Sequence, residues 1–515
     1  MAAISTLDRS SLEEFQTQLI EAGFRPTDEL QRTWVGSTPD CFRRFTNASQ
    51  MRLVFQDGWP FRPPKVFVPG IELEHVNPEG EVCLWRPDDS SLQWKALEGL
   101  NERIEEWCSA APEFRPEDAA LDAHLYFKGG EEASILAVFD LGSISASGFA
   151  DRRHGALHGI RKHSRLMELH GGPGTSESIP GRWYYRTAIS PPPWDIDALE
   201  GKLGKSQRRD FEDLQRRVAS RPVGSEGIVL LIWDTGGGKD AMAVLLQKEQ
   251  TGIVAKPLIA APNDEGTLRL RSGPDFSMVR PKHVVLFGAG AIGSHVALLL
   301  SESGLGHLTI VDCDLLRPGD VVRHAADASA VGCPKADIVK VVVEHSAPWT
   351  RVESKGICPW TLDHLQALTQ GADLALDATG FWSFAQHVSV YFGQISVPLI
   401  SAALYRGGSV ARVRRQVLEA DTPIYSRVDN PAYPVIPPAD TDEVVLEMGC
   451  SSPVINAPPV SVAAAAALTA QVVIDSLTSR FECSDEVVEV YRPLDSPPFN
   501  KPGRVQMTGE EISNA

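Results

Sequence analysis

Apolar residues recur at helical spacing across Ser10–Gly23, where Leu12, Phe15, Leu19 and Ile20 share one face. Ser11 is placed to cap that helix, with Glu13 and Glu14 in its first turn. Short alternating runs follow at Cys41–Thr46, Met51–Gln56 and Lys65–Val68 and predict strands of a small antiparallel sheet. Trp59-Pro60-Phe61-Arg62-Pro63-Pro64 interrupts them, because proline cannot donate to a ladder. Helical spacing returns over Leu97–Cys108 through Leu97, Leu100, Ile104 and Trp107. Pro112 and Pro116 then mark a boundary, so residues 1–120 read as a first, α+β domain.

Residues 121–278 are the least patterned part. Ile135–Phe139 and Gly227–Trp233 read as strands, charged Asp195–Ala219 as helix, and His170–Ser178 as a glycine-rich loop. Trp233-Asp234-Thr235-Gly236-Gly237-Gly238-Lys239-Asp240 superficially suggests a phosphate loop. It fails GxxxxGK[ST] at both ends, where Trp233 and Asp240 stand, so a hairpin turn is the better reading.

From residue 279 the pattern changes. The apolar run His283–Phe287 suits a buried parallel strand, Gly288-Ala289-Gly290-Ala291-Ile292-Gly293 follows, and a helix runs to about Ser303. His307–Asp312, Leu374–Leu376 and Val397–Ile400 read as further strands, and Val460–Leu477 as an alanine-rich helix. Strands alternating with helices predict a doubly wound, Rossmann-like α/β sheet over residues 279–515, within an α/β multidomain chain. The tail from Pro493 reads as a loose end.

Composition narrows the function classes. A chain of 515 residues predicts two to four domains. Lys and Arg number 49 against 67 Asp and Glu, a net charge of −18, and an acidic surface repels phosphate backbones, so no nucleic-acid partner is expected. Met1–Ser11 lacks a basic-then-apolar leader, and the run Val460–Ile474 reads as too short to span a bilayer. No membrane partner and a cytoplasmic location are expected. The eight cysteines (41, 83, 108, 313, 333, 358, 450 and 483) are at least 20 residues apart, which excludes CxxC and zinc-knuckle spacings. They predict packing thiols, reactive thiols, or both, with Cys313 and Cys333 read as packing residues.

The GxGxxG of Gly288, Gly290 and Gly293 lies between a strand and a helix, with Asp312 closing the next strand 19 residues beyond Gly293. The glycines let backbone approach phosphates, and the helix N-terminus supplies N–H donors. That fingerprint serves NAD and ATP alike. Arg323, Lys335 and Asp377 favour ATP: an adenylating site needs cations for the triphosphate and a carboxylate for Mg²⁺, and hydride transfer needs neither.

These residues resemble the nucleotide-binding core of ubiquitin-activating enzymes and their ThiF-like relatives. The resemblance implies Gly288, Gly290 and Gly293 as the phosphate loop and Asp312 as the ribose aspartate. It implies Arg323 and Lys335 as a phosphate-binding pair and Asp377 as the metal aspartate. It further implies that ATP and a protein C-terminal carboxylate give an acyl-adenylate and pyrophosphate, within a homodimer. Asp320 stands where that family has asparagine, and its zinc CxxC pairs are absent. Arg280 is offered for its arginine that reaches across the dimer.

An acyl-adenylate is readily captured by a thiolate. Cys450, in Met448-Gly449-Cys450-Ser451-Ser452-Pro453, resembles the catalytic cysteine of activating enzymes. Trp59–Val66, then His75-Val76-Asn77, then Cys83 resemble a ubiquitin-conjugating fold, with Val76 replacing its proline and a span about two residues shorter. That resemblance implies Cys83 as the acceptor thiol, Asn77 as the oxyanion donor and His75 as a structural histidine. Fusions in this order resemble a bacterial family of antiphage (CBASS) operons that conjugates the C-terminus of a cGAS-like CD-NTase to targets. The expected partners are a protein with a flexible C-terminal tail, either such a CD-NTase or a ubiquitin-like protein, and a lysine-bearing target. The alternatives are a sulfur-carrier adenylyltransferase with a docking N-terminal domain, an NAD-dependent oxidoreductase, and a non-enzymatic scaffold.

Overall fold

The computed structural model describes residues 9–73, 75–85, 89, 91–113, 122–145, 148–236, 238–359, 361–438, 444–446 and 453–507. The chain divides into two compact units, Met1–Asp264 and Glu265–Ala515.

The first unit opens with α1 (Arg9–Glu21), followed by β1 (Arg25–Pro26), β2 (Thr33–Ser37), β3 (Gln50–Val54), β4 (Lys65–Phe67) and β5 (Glu81–Val82), then α2 (Leu97–Ala110). The strands form one antiparallel sheet in sequence order. Phe15, Trp34, Leu53, Trp94 and Ile104 fill its core. Two expectations change. Ser11 lies inside α1 rather than capping it, and its hydroxyl accepts the Trp59 indole N–H at 3.3 Å. Cys41–Thr46 is not a strand: Asp40–Arg44 is a 3₁₀ turn entered through Pro39 at φ −54°, which turns only Phe42 inward.

The same unit then builds a closed barrel. Its elements are β6 (Leu136–Phe139), the short α3 (Leu141–Ile144), β7 (His154–His163), β8 (Leu166–Gly171) and β9 (Ile179–Arg186). Helices α4 (Ile196–Lys202) and α5 (Lys205–Ala219) precede β10 (Glu226–Thr235), β11 (Gly238–Glu249) and β12 (Gly252–Pro262). The strand order is β10-β11-β12-β6-β8-β7-β9. Asp195 caps α4 by accepting the Ala198 N–H at 2.8 Å. β10 and β11 make the expected hairpin, pairing Thr235 with Gly238.

The second unit begins with α6 (Glu265–Arg269) and α7 (Phe276–Val279). It continues through β13 (His283–Phe287), α8 (Ala291–Glu302), β14 (His307–Val311), α9 (Lys335–Ser346), β15 (Arg351–Lys355), α10 (Leu362–Thr369), β16 (Leu374–Asp377) and α11 (Trp382–Ile395). Next come β17 (Leu399–Tyr405), β18 (Val410–Gln416), β19 (Val444–Leu446), β20 (Pro453–Ile455), α12 (Pro459–Leu477), β21 (Glu486–Val490) and β22 (Gly503–Met507). Strands β15-β14-β13-β16-β17 are parallel, and β18, β21 and β22 extend the sheet antiparallel. α8, α9 and α12 cover one face and α10 and α11 the other, which is a doubly wound, Rossmann-type arrangement. The chain order runs outward in both directions from the β13–β16 pair, and ligands of such sheets bind at that switch point, beyond the strand carboxyl ends.

The end of the chain also departs from expectation. Between Pro493 and Met507 the tail is not loose, because β22 pairs along β21 and Phe499 is buried. α12 has 19 residues and is long and apolar enough to cross a membrane, contrary to the shorter run read from sequence. Here Val462, Ala465, Leu468 and Val472 bury it in the core against the sheet.

Candidate active site

The loop after β13 is shaped by its glycines. Gly288 sits at φ +90°, where a Cβ would meet the Ala378 carbonyl at 2.9 Å, and a Cβ on Gly293 would lie 1.9 Å from the Gly288 oxygen. Both must be glycine for the turn to close and α8 to dock. Gly290 is different: a Cβ there meets nothing within 4 Å. It is the position where backbone lies open to an approaching ligand.

Asp312 follows β14, next to β13. Its carboxylate accepts the Ala289 N–H at 2.7 Å and the Asp314 N–H at 2.8 Å, which leaves lone pairs for a further donor. Asp377 ends β16 on the other side of β13, paired in register with Phe287. It is buried, and accepts from the Thr379 N–H (3.0 Å), the Thr379 hydroxyl (2.7 Å) and the Ser401 hydroxyl (2.8 Å). Burial pushes its carboxyl above the ordinary range, against those hydrogen bonds and the Arg414 guanidinium. Arg414 is itself held over the Trp382 ring, 4.7 Å from its centroid.

Lys335 starts α9, with Nζ 3.3 Å from Asp320 and 3.5 Å from Asp314. Arg323 ends a half-buried 3₁₀ turn, Pro318–Arg323. Arg280 is paired with Glu265 at 3.4 Å. Gly288, Gly290, Gly293, Asp312 and Asp377 therefore gather at the carboxyl ends of three adjacent strands, β14-β13-β16. Arg323 and Lys335 are delivered by the segment joining β14 to α9. Asp377 fits one side of a Mg²⁺ shell: three of about four lone-pair directions on its carboxylate are taken, and Mg²⁺ is commonly held by one or two carboxylates plus substrate phosphates.

Sequence reasoning missed the residues that brace these groups. His324 Nε2 lies 2.8 Å from the Ala289 carbonyl, and the Ser294 hydroxyl accepts the Ala325 N–H at 3.2 Å. Their only signal is adjacency, one residue past Arg323 and one past Gly293.

The thiols divide. Cys83 follows β5 on a tight hairpin: its N–H donates to the His75 carbonyl at 2.8 Å, and Val76 bridges Val82. Burial, then the Glu81 carboxylate, push its thiol up, and Arg103 opposes them. Asn77 lies on the same hairpin, yet its amide donates to Glu81 Oε2 at 3.1 Å and its Oδ1 accepts the Glu79 and Glu81 N–H groups at 3.0 and 2.9 Å. In this arrangement Asn77 braces the turn leading to Cys83. His75 sits at φ +66°, a left-handed conformation uncommon for a non-glycine residue.

Cys450 lies outside the described residues. β19 and β20, which bracket it in sequence, pair antiparallel. The expectation of packing thiols at Cys313 and Cys333 is corrected. Cys313 is disulfide-bonded to Cys358, because the two extend parallel neighbours β14 and β15 and their Cα atoms lie 5.4 Å apart. Cys333 is exposed.

Residues 270–502 match the model of the ThiF family, so the C-terminal half carries a ThiF family domain. A stretch 25 % identical over 182 residues aligns with the adenylyltransferase and sulfurtransferase UBA4 of Yarrowia lipolytica, covering 35 % of this chain and 43 % of that protein. Another, 24 % identical over 174 residues, aligns with the ATP-dependent ubiquitin transferase-like protein Cap2 of Pseudomonas aeruginosa, covering 33 % and 31 %. The chain spans less than half the length of the first curated relatives it matches. Among solved structures, E. coli MccB with ATP is similar over 45 % of this chain and 65 % of that one, at 18 % identity and a TM-score of 0.35.

Proposed function

We propose that the second unit uses ATP to activate the C-terminal carboxylate of a partner protein, and that the chain relays the acyl group through Cys450 and Cys83 to a lysine amine. One observation carries the reading: a phosphate loop, Asp312 and Asp377 converge on three neighbouring strand ends, with Arg323 and Lys335 supplied from the adjoining segment. A triphosphate uses that combination of cations and buried carboxylate, and a nicotinamide cofactor does not.

In this reading the loop N–H groups, Arg323 and Lys335 hold the phosphates, with Lys335 turning from Asp314 and Asp320 to do so. Asp312 accepts a ribose hydroxyl with its remaining lone pairs. Asp377 would hold Mg²⁺, which when bound neutralises phosphate charge. A carboxylate oxygen of the partner's tail attacks the α-phosphorus. The bond to the bridging β-oxygen breaks, pyrophosphate leaves, and an acyl-adenylate remains. The Cys450 thiolate displaces AMP to give a thioester, and Cys83 takes the acyl group by thiol exchange. An amine then displaces the Cys83 thiolate to leave an amide. The donor is a CD-NTase or a ubiquitin-like protein, and the enzyme works as a cytoplasmic homodimer.

The test is exchange of labelled pyrophosphate into ATP with candidate tails, followed by intact-mass spectrometry with and without reductant. Exchange plus reductant-sensitive adducts on Cys450 and Cys83 is the expected result; no exchange with any tail sinks the reading. A second reading is favoured by the engagement of the Asn77 amide with Glu81. In it the second unit adenylates a sulfur carrier or ubiquitin-like protein and the N-terminal domain only docks it, so exchange occurs without an adduct on Cys83.

A further inference from the structure

Ala289 lies between two glycines, Gly288 at φ +90° and the open Gly290. A loop so built has little stiffness of its own, because glycine leaves the backbone free. Its shape therefore depends on what holds the Ala289 peptide groups. The N–H donates to Asp312 at 2.7 Å. The carbonyl is met by His324 Nε2 at 2.8 Å, while the Ala326 N–H lies 3.1 Å from the other ring nitrogen, Nδ1. These two partners fix one state of the ring: neutral, protonated on Nε2, donating to Ala289 and accepting from Ala326. Burial favours the same neutral state and outweighs the Ala289 carbonyl, which favours the charged ring; Lys335 and His295 add to burial, and Asp320 opposes it. The residues on either side of His324 are tied to α8, the helix that follows the loop. The His295 ring hydrogen-bonds the Arg323 backbone, and the Ala325 N–H donates to the Ser294 hydroxyl at 3.2 Å.

We propose that His324 is a positioning residue of the nucleotide site, which sets the phosphate loop through the Ala289 carbonyl and locks Arg323 to that loop. This rests on the adenylation reading only for its consequence for ATP; the bracing of the loop is independent of it. Glutamine carries an amide nitrogen at the reach of Nε2, so His324→Gln keeps the donation to Ala289. Asparagine reaches only the Nδ1 position, so His324→Asn loses it at similar polarity.

Two measurements on the full-length chain test this. Hydrogen exchange without nucleotide is expected to show faster exchange at residues 288–293 in His324→Asn, with His324→Gln close to the parent. Pyrophosphate exchange is expected to show KM for ATP raised about tenfold in His324→Asn and restored to within about threefold in His324→Gln, the scale of one buried hydrogen bond. Equal loop exchange in both variants and the parent overturns the proposal, and so does a Gln variant as impaired as the Asn variant, whether or not either folds well. A parent chain inactive in pyrophosphate exchange would reject the adenylation reading instead, and the hydrogen-exchange result would still decide the role of His324.

Discussion

Asp320 stands 3.3 Å from Lys335 Nζ, in the position where the resembling family places asparagine. A carboxylate there holds the lysine and repels the phosphates that the lysine is proposed to bind. The pair is mostly buried and so is worth at least the roughly 0.2–1 kcal/mol of an exposed one, and Asp320→Asn is expected to lower KM for ATP about threefold or more, read by pyrophosphate exchange. An unchanged or raised KM would show that Lys335 needs Asp320 for its orientation. Cys83 poses a second residue-scale question. Its thiol is pushed up by burial and by Glu81, so the thiolate fraction at neutral pH lies below that of an ordinary cysteine. Alkylation by iodoacetamide should therefore rise only at higher pH than for a free thiol. Glu81→Gln removes the neighbouring negative charge, which favours the thiolate and should move that profile to lower pH. A Cys83 profile matching free cysteine, or one unmoved by the substitution, would contradict the electrostatic account.

At the scale of elements, the two kinds of glycine in the phosphate loop should separate stability from binding. Gly293→Ala forces a Cβ to 1.9 Å from the Gly288 oxygen, so the loop or α8 must shift, at a cost of about 2 kcal/mol or more in denaturant unfolding. Gly290→Ala places its methyl in open space, so it should leave the unfolding midpoint unchanged and raise KM for ATP. If both lose stability equally, Gly290 is a packing glycine too. This loop was legible in the sequence because its chemistry is local: strand, glycines and helix are contiguous, and Asp312 and Asp377 end apolar strands. The barrel was not, for a physical reason. Ile135–Phe139 and Gly227–Trp233 show as apolar runs, but in β7 two of the three buried positions, Gly155 and Gly159, are glycine, so the apolar alternation that marks a half-exposed strand is missing. The first sheet misled in the opposite way, since the apolar positions in Cys41–Thr46 mimic a strand while Pro39 sets a 3₁₀ turn. The Cys313–Cys358 bond was hidden because it depends on β14 and β15 being neighbours, which spacing in the chain does not reveal.

At the scale of the whole molecule, the proposed chemistry is distributed over units with cores of their own. The clusters around Trp34 and around the barrel strands belong to the first unit, and those around β13, α8, α11 and α12 belong to the second. The start of the second unit is tied inward. Arg480 pairs with Asp275 at 2.6 Å, and Arg280 with Glu265 at 3.4 Å, so a cut between Asp264 and Glu265 leaves both pairs intact. The phosphate loop, Asp312, Arg323, Lys335, Asp377 and Cys450 all lie after that cut. A chain of residues 265–515 is therefore expected to fold cooperatively and to exchange pyrophosphate into ATP with kcat/KM within about threefold of the full chain, given the same tail. It should carry an acyl group on Cys450 and form no amide product. Cys83→Ala in the full chain should stop at the same stage, because tethering helps handover only when a second thiol is present. Amide formation by the shortened chain at the full rate would assign the last transfer to the second unit alone and leave the N-terminal domain a docking module.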